Sequence, residues 1–548
     1  MQFPLLSVII FLPVVAGALS LLLPRGLVKP WALFWAIVDL ILVIILIVRF
    51  AVGQIGLQGN EAISNWIPGF GVSYTVGVDG ISVFLVGLTT LMTAVAIGAS
   101  LWSITSREKE YMALMLLLET GVLGVFLSTN LFLFYVFWEV MLIPAYFLIG
   151  GWGGPRRVYA AMKFVLYTAV GSLLMLVGII SFGVLHQVNT RHGIFTLDIT
   201  QLAKTPLSGS EGILLFLAFF AAFAVKVGLV PLHSWLPDAY CEAPTPVTMM
   251  LSSVMTKTAA YGFLRFCIGL LPDATHTLVP LMEILAVISI LYGALQALVQ
   301  TDVKRLIAYS SISHLGIVIL GIFALNSQGV EGGILQMVNH GITTGALFLI
   351  ASFLEARTAT RKLEDYGGQA RRWPLLAVVF LIAALSSLGL PGLNSFAGEF
   401  LALLGAFHAN VVYGILGTLV VIPAAWYLLR FFQGVMHGPE PTQGPVAAAT
   451  RKGLALDLEQ REFAVLLPLL LLIFYLGFVP GQLTSVIDKS ANNLPGAQTT
   501  SVNPMRTRQF TLQSLAIEIA AAGSEQQSHP SQAETSASPA SFGTDGGA

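Results

Sequence analysis

The segment FFAAFAVKVGLVPLHSWLPDAYCEAPTPV, residues 219–247, decides how the chain is read. It begins as an apolar helix and places a lysine, Lys226, inside it. Five residues later Pro231 interrupts the run. A charge at the centre of a membrane helix costs about 2.5–3.5 kcal/mol on insertion scales. Proline cannot donate a hydrogen bond to the carbonyl four residues before it. Pro231 is therefore expected to free the Val227 carbonyl beside the lysine. Such backbone is tolerated at membrane depth only where it faces protein or a wet cavity. The segment reads as a broken membrane span whose lysine turns into the bundle.

The surrounding sequence has the composition of a polytopic membrane protein. Of 548 residues, 56% are hydrophobic and 10% are charged, with mean hydropathy +0.82; soluble domains carry about 25% charge. Apolar runs near 20 residues recur, each long enough to cross about 30 Å of hydrocarbon. A β-barrel would show short alternating segments instead. The net charge of −1 leaves no nucleic-acid footprint. Two cysteines, Cys241 and Cys267, are too few for a four-cysteine iron–sulfur cluster. The amino terminus has no basic n-region and no A-x-A site, and reads as a retained first helix.

Fourteen spans are predicted, near 4–23, 31–50, 79–102, 111–128, 130–150, 161–185, 212–231, 247–270, 278–300, 304–324, 331–355, 375–407, 411–433 and 463–483. With the amino terminus outside, the cytoplasmic loops hold eighteen Lys and Arg residues and the outer loops seven. That asymmetry follows the positive-inside rule and puts both termini outside. GLVPLHSW (228–235) is echoed by GLPGLNSF (389–396), and both interrupt a span. Five helices separate the two breaks, so the repeats they mark would be inverted. The expected fold is all-α, with two inverted five-helix repeats and helices seven and twelve broken. Residues 1–103 would carry spans one to three, 104–270 the first repeat and 271–435 the second. A loop and the last span would occupy 436–489, and a polar, disordered tail 490–548.

Several titratable groups fall inside these spans. Glu139, in FYVFWEVMLIPAYFLIG, precedes Pro144 by five residues, which repeats the Lys226–Pro231 arrangement. Lys257 has Ser253 and Tyr261 four residues to either side, and His340 has Gln336 and Thr344 there. His314 follows Ser310 by four residues, and Glu399 follows Ser395 by four. Glu119 and His233 are weaker candidates. A series of groups whose protonation depends on burial and neighbours is what a proton relay needs. Blander readings exist for each group alone. A Lys–Glu pair can lock two helices, and a lone histidine can bond one helix to another. No H-x3-H cluster appears, so no metal site is expected.

FWEVMLIPAYFLIGGWGG, VKVGLVPLHSWLPDAYCEAPTPV, DVKRLIAYSSISHLG and LQMVNHGITTGALF resemble the antiporter-like subunits of respiratory complex I, the M or subunit-4 type above all. The resemblance runs over residues 1–485. It implies fourteen helices with inverted repeats and two broken helices. By this resemblance Glu139, Lys226, Lys257, His314, His340 and Glu399 match the family's proton path. Glutamate at 399 favours the M type, since L- and N-type relatives carry lysine there. Asn130 departs from the pattern, because many relatives have aspartate at that position.

The resemblance implies a proton-pumping subunit of an NADH–quinone oxidoreductase, with L-type and N-type chains and lipids as neighbours. It implies that NADH, FMN, iron–sulfur clusters and quinone belong to sister subunits, with none in this chain. No Walker A motif or dinucleotide fingerprint occurs. The expected location is a bacterial plasma membrane, or a thylakoid membrane in a cyanobacterium. A multisubunit Na+/H+ antiporter subunit, a membrane subunit of an energy-converting hydrogenase and a structural scaffold remain as alternatives.

Overall fold

The computed structural model describes residues 4–50, 56–67, 72–190, 193–451 and 457–494. The tail expected beyond residue 490 lies almost wholly outside the described residues. Two helices, α1 (Leu5–Ser20) and α2 (Arg25–Arg49), lead into a short antiparallel hairpin, β1 (Gln58–Ile67) with β2 (Val72–Val78). The sequence reading had assigned no strand. The hairpin caps the bundle: the Glu61 carboxylate accepts from the backbone N–H of Leu6 (2.7 Å) and Ser7 (2.9 Å) at the start of α1. These are two of the donors that a helix start leaves without an intrahelical partner.

The chain continues through α3 (Val83–Ser103), α4 (Glu108–Leu127), α5 (Leu131–Val140) and α6 (Leu142–Trp152). The last two form one span with an irregularity at Met141, three residues before Pro144. Asn130 caps α5, its Oδ1 accepting from Phe132 and Leu133 N–H (3.0 and 3.3 Å). This is ordinary N-cap chemistry, which asparagine performs as well as aspartate. Next come α7 (Arg157–Asn189), the short α8 (Ile199–Leu202), α9 (Gly209–Val227) and α10 (Trp235–Glu242). The eighth span joins α11 (Thr245–Met250) and α12 (Thr256–Gly262) through π-helical turns at Leu251–Met255 and Phe263–Ile268. Then follow α13 (Pro272–Val299), α14 (Val303–Phe323), α15 (Ser327–Thr358), α16 (Pro374–Ser387) and α17 (Asn394–Ala409). The described chain closes with α18 (Val411–Thr418), α19 (Val421–Met436), α20 (Gly444–Arg451), α21 (Gln460–Phe478) and α22 (Gly481–Ala491).

Eleven described spans are long and apolar enough to cross a membrane. The shorter α1, the composite eighth span and the broken α16–α17 pair bring the total to the fourteen expected. The last span ends at Phe478, and α22 is a separate helix after Pro480. Of these eleven spans the most enclosed are α14 and α15, with 94% of the apolar stretch buried in each.

The two breaks have the same local geometry. At the first, Gly228 adopts φ +80° and Leu229 N–H donates to Ala224 O (3.0 Å). At the second, Gly389 adopts φ +75° and Leu390 N–H donates to Leu385 O (3.1 Å). A left-handed glycine followed by a bond five residues back is the Schellman helix stop. The helix therefore ends at Val227, before Pro231, and not through loss of the proline's bond. In both breaks a tight turn follows, Leu232 N–H to Leu229 O and Leu393 N–H to Leu390 O. The weak echo in sequence is thus a repeated backbone structure.

Candidate functional site

Lys226 lies in the last turn of α9, with 0% exposure. Its ammonium has no hydrogen-bond partner and sits 3.9 Å above the Trp138 ring centroid. Trp138 precedes Glu139 on α5, and its ring supplies the close contact to the ammonium. Among the described residues Lys226 makes no ion pair within 4 Å, although the Glu139 charge acts on it. Glu139 is half-buried, with Oε1 unpartnered. The first break is held open from two sides. Val230 N–H donates to Ser289 Oγ on α13 (2.9 Å), and Trp235 Nε1 donates to Val225 O (2.7 Å). His233 stands in this break with its ring 4.9 Å from Tyr292 and Nδ1 unpartnered.

Lys257 is fully buried in α12. Its ammonium donates to Ser252 O, five residues back, and lies 2.8 Å from His340 Nδ1 on α15. The expected Ser253–Lys257–Tyr261 stripe does not form. Ser253 Oγ donates to Gly341 O (2.8 Å), and Tyr261 OH to Phe126 O (3.1 Å). The cause is the π-turn before Lys257, which shifts the register from four residues to five. Turns of this kind recur at functional sites because they re-aim a side chain.

From His340 the polar chain continues. Its Nε2 is 3.1 Å from Thr344 Oγ1, and its ring centroid lies 5.6 Å from that of His314. His314 Nδ1 is 2.8 Å from Glu399 Oε1, off the line of an N–H donor. The contact is a close electrostatic one, not an aligned hydrogen bond. Glu399 Oε1 also accepts from Gln336 Nε2 (2.8 Å). Gln336 was expected beside His340 and reaches Glu399 instead. Ser310 turns from His314 to the Tyr427 hydroxyl (2.9 Å), and Ser395 from Glu399 toward Thr343 (3.4 Å).

The second break is stapled by two asparagines that the sequence reading did not single out. Asn339 Nδ2 donates to Asn394 O (2.7 Å), and Asn394 Nδ2 to Asn339 O (3.1 Å). Asn394 Oδ1 also accepts from Ser386 (2.6 Å). These bonds satisfy backbone that the break would otherwise leave bare, and they hold α17 so that Glu399 faces His314.

The structure therefore joins Lys257, His340, His314 and Glu399 in one row, buried from Lys257 to His314 and part-exposed at Glu399. Glu139 and Lys226 stand in a separate group around Trp138, and His233 stands alone in its break. Glu119 meets none of them. At the same level of the adjacent α2 lies Asp39, a residue that sequence reasoning missed although it is a carboxylate inside an apolar span.

Fourteen spans, paired breaks and a row of titratable groups define a polytopic membrane protein of the ion-transporter class. Residues 128–422 match the family described as NADH:quinone oxidoreductase/Mrp antiporter, TM. NADH-quinone oxidoreductase subunit M of Rhodobacter capsulatus is 40% identical over 505 residues, covering 89% of this chain and 96% of the relative. NADH-ubiquinone oxidoreductase chain 4 of Marchantia polymorpha is 37% identical, covering 89% and 96%. A chain of respiratory complex I from Thermus thermophilus superposes with TM-score 0.80 at 33% identity, covering 90% of this chain and 100% of that one. A chain of the Mrp complex from Dietzia sp. shares the fold, with TM-score 0.77 at 23% identity. The chain belongs to the NADH:quinone oxidoreductase/Mrp antiporter family, on its subunit M branch.

Proposed function

We propose that this chain is a proton-translocating membrane subunit of an NADH–quinone oxidoreductase. Protons move through Glu139, Lys226, Lys257, His340, His314 and Glu399, driven by redox chemistry elsewhere in the complex. The observation that carries this reading is the row from Lys257 to Glu399, in which every neighbouring pair is close. A scaffold would pair such groups off or replace them, because isolated charges at this depth are expensive. Lys226 is poised differently. It has an aromatic face but, among the described residues, no ion-pair partner within 4 Å, so its proton is held by weak contacts and by the more distant Glu139 charge.

Membership in a respiratory assembly makes other membrane subunits partners. L-type and N-type chains fit as neighbours, with lipid covering the remaining apolar faces. The half-buried Glu139 supports a polar neighbour on that side. Cofactors and quinone reside in sister chains on this reading. The location is a bacterial plasma membrane with both termini outside, as the loop charges favour. Spans one to three, two repeats and a closing span are the working units.

The test is proton translocation in reconstituted complex carrying Glu139→Gln at normal subunit content. Pumping per electron should fall severely, whereas Glu139→Asp, which keeps a carboxylate, should retain part of it. Unchanged pumping in Glu139→Gln would reduce the first group to a helix clamp.

A further inference from the structure

Asp39 of α2 and Glu119 of α4 are both 0% exposed, near the middle of adjacent spans. Among the described residues none of their four carboxyl oxygens has a hydrogen-bond partner. Among the described residues neither forms an ion pair within 4 Å. The Lys29–Glu108 ion pair (2.9 Å) ties the same ends of the packed helices α2 and α4, and Asp39 lies ten residues past Lys29 as Glu119 lies eleven past Glu108, so the two carboxyls stand at one depth. Thr93 of α3 stands beside Glu119, but its hydroxyl donates to Thr89 O (3.0 Å). The indole N–H of Trp35, one turn before Asp39, is a buried donor and is also unpartnered. These groups take no part in the row from Lys257 to Glu399.

Two ionised carboxylates without donor or cation would each bear an uncompensated desolvation cost of several kcal/mol, with mutual repulsion added. Carboxyls placed together in this way titrate as a unit, and one proton shared between them removes most of the repulsion. We infer that Asp39 and Glu119 form a proton-binding site, separate from the main row, in which one proton is held between two carboxyl groups. The protonated oxygen donates to the ionised partner, so the pair supplies its own missing hydrogen bond. The site carries one negative charge among the amino-terminal spans. It does not depend on the proposed path, because its occupancy is read without pumping.

Infrared difference spectra of the whole purified complex test this, using Asp39→Asn, Glu119→Gln and the double variant at normal subunit content. Each single variant should lose one carboxylate band and keep one protonated carboxyl band, shifted in frequency, because the remaining acid retains the proton. The double variant should lose one band of each kind. Loss of two protonated bands in the double variant would mean two independent neutral acids and would overturn the shared proton. Loss of two carboxylate bands and no protonated band would mean that both are ionised around a cation, and would equally overturn it. Should a neutral variant fail to assemble, Glu119→Asp keeps both acids. It must then shift a protonated and an ionised band together, and a shift of only one kind would overturn the site.

Discussion

Lys226 is held by the face of Trp138 and by little else. A desolvated cation over an indole ring is worth about 2 kcal/mol or somewhat more, about thirtyfold in an equilibrium. That is enough to keep the ammonium in place and small enough for a conformational change to overcome. Trp138→Leu keeps apolar volume and removes the ring. It should leave the subunit assembled and reduce pumping per electron severalfold, less than Glu139→Gln does, because the Glu139 charge remains. Reconstituted complex gives the measurement, and undiminished pumping would leave the ring as packing alone. The row beyond works by contact. Lys257→Ala should abolish most translocation at normal subunit content, since His340 Nδ1 then loses the ammonium 2.8 Å away. Pumping equal to wild type would return Lys257 to a structural role.

The broken helices can be tested as elements. Gly228 and Gly389 stop α9 and α16 in the left-handed region, where a side chain costs about 1–2 kcal/mol. Their surroundings differ. A Cβ on Gly228 would meet Leu236 Cδ1 at 2.9 Å, a flexible apolar end. A Cβ on Gly389 would meet Glu399 Oε2 at 2.8 Å. Gly228→Ala should therefore lower the thermal stability of the complex with pumping nearly intact. Gly389→Ala should lower both, because it displaces the carboxylate that faces His314. Equal pumping in the two variants would separate the second break from the path. The same elements show what sequence could and could not convey. Both breaks were legible, since glycine and proline inside apolar runs have few other uses. The first helix stops at Val227, four residues before the expected end of its span at 231, because left-handed glycine ends a helix before proline can. The neighbours of Lys257 were illegible. A four-residue stripe presumes a regular α-helix, and π-turns leave no reliable mark in sequence. Asp39 was missed for another reason: one carboxylate in a long apolar span shows its significance only beside Glu119.

Across the whole molecule, Lys257 and His340 join α12 of the eighth span to α15 of the eleventh. Their 2.8 Å contact is fixed from both sides. Ser252 O holds the ammonium, and Thr344 holds the far nitrogen of the ring. The fourteen-span plan was readable from composition and loop charge, but no pattern in either span announces a contact 83 residues apart in sequence. If a proton crosses between the two spans here, the two residues act as one unit, and units of this kind are strongly non-additive. Lys257→Ala and His340→Ala should each cut pumping per electron by a similar large factor. The double variant should then be no worse than the poorer single, because the path is already severed at the same point. Residues on separate routes would instead give losses that multiply. A complete cycle of four reconstituted complexes, each checked for subunit content, distinguishes the two. Multiplied losses would mean that protons cross between the two spans elsewhere and that the lysine–histidine contact is only a brace.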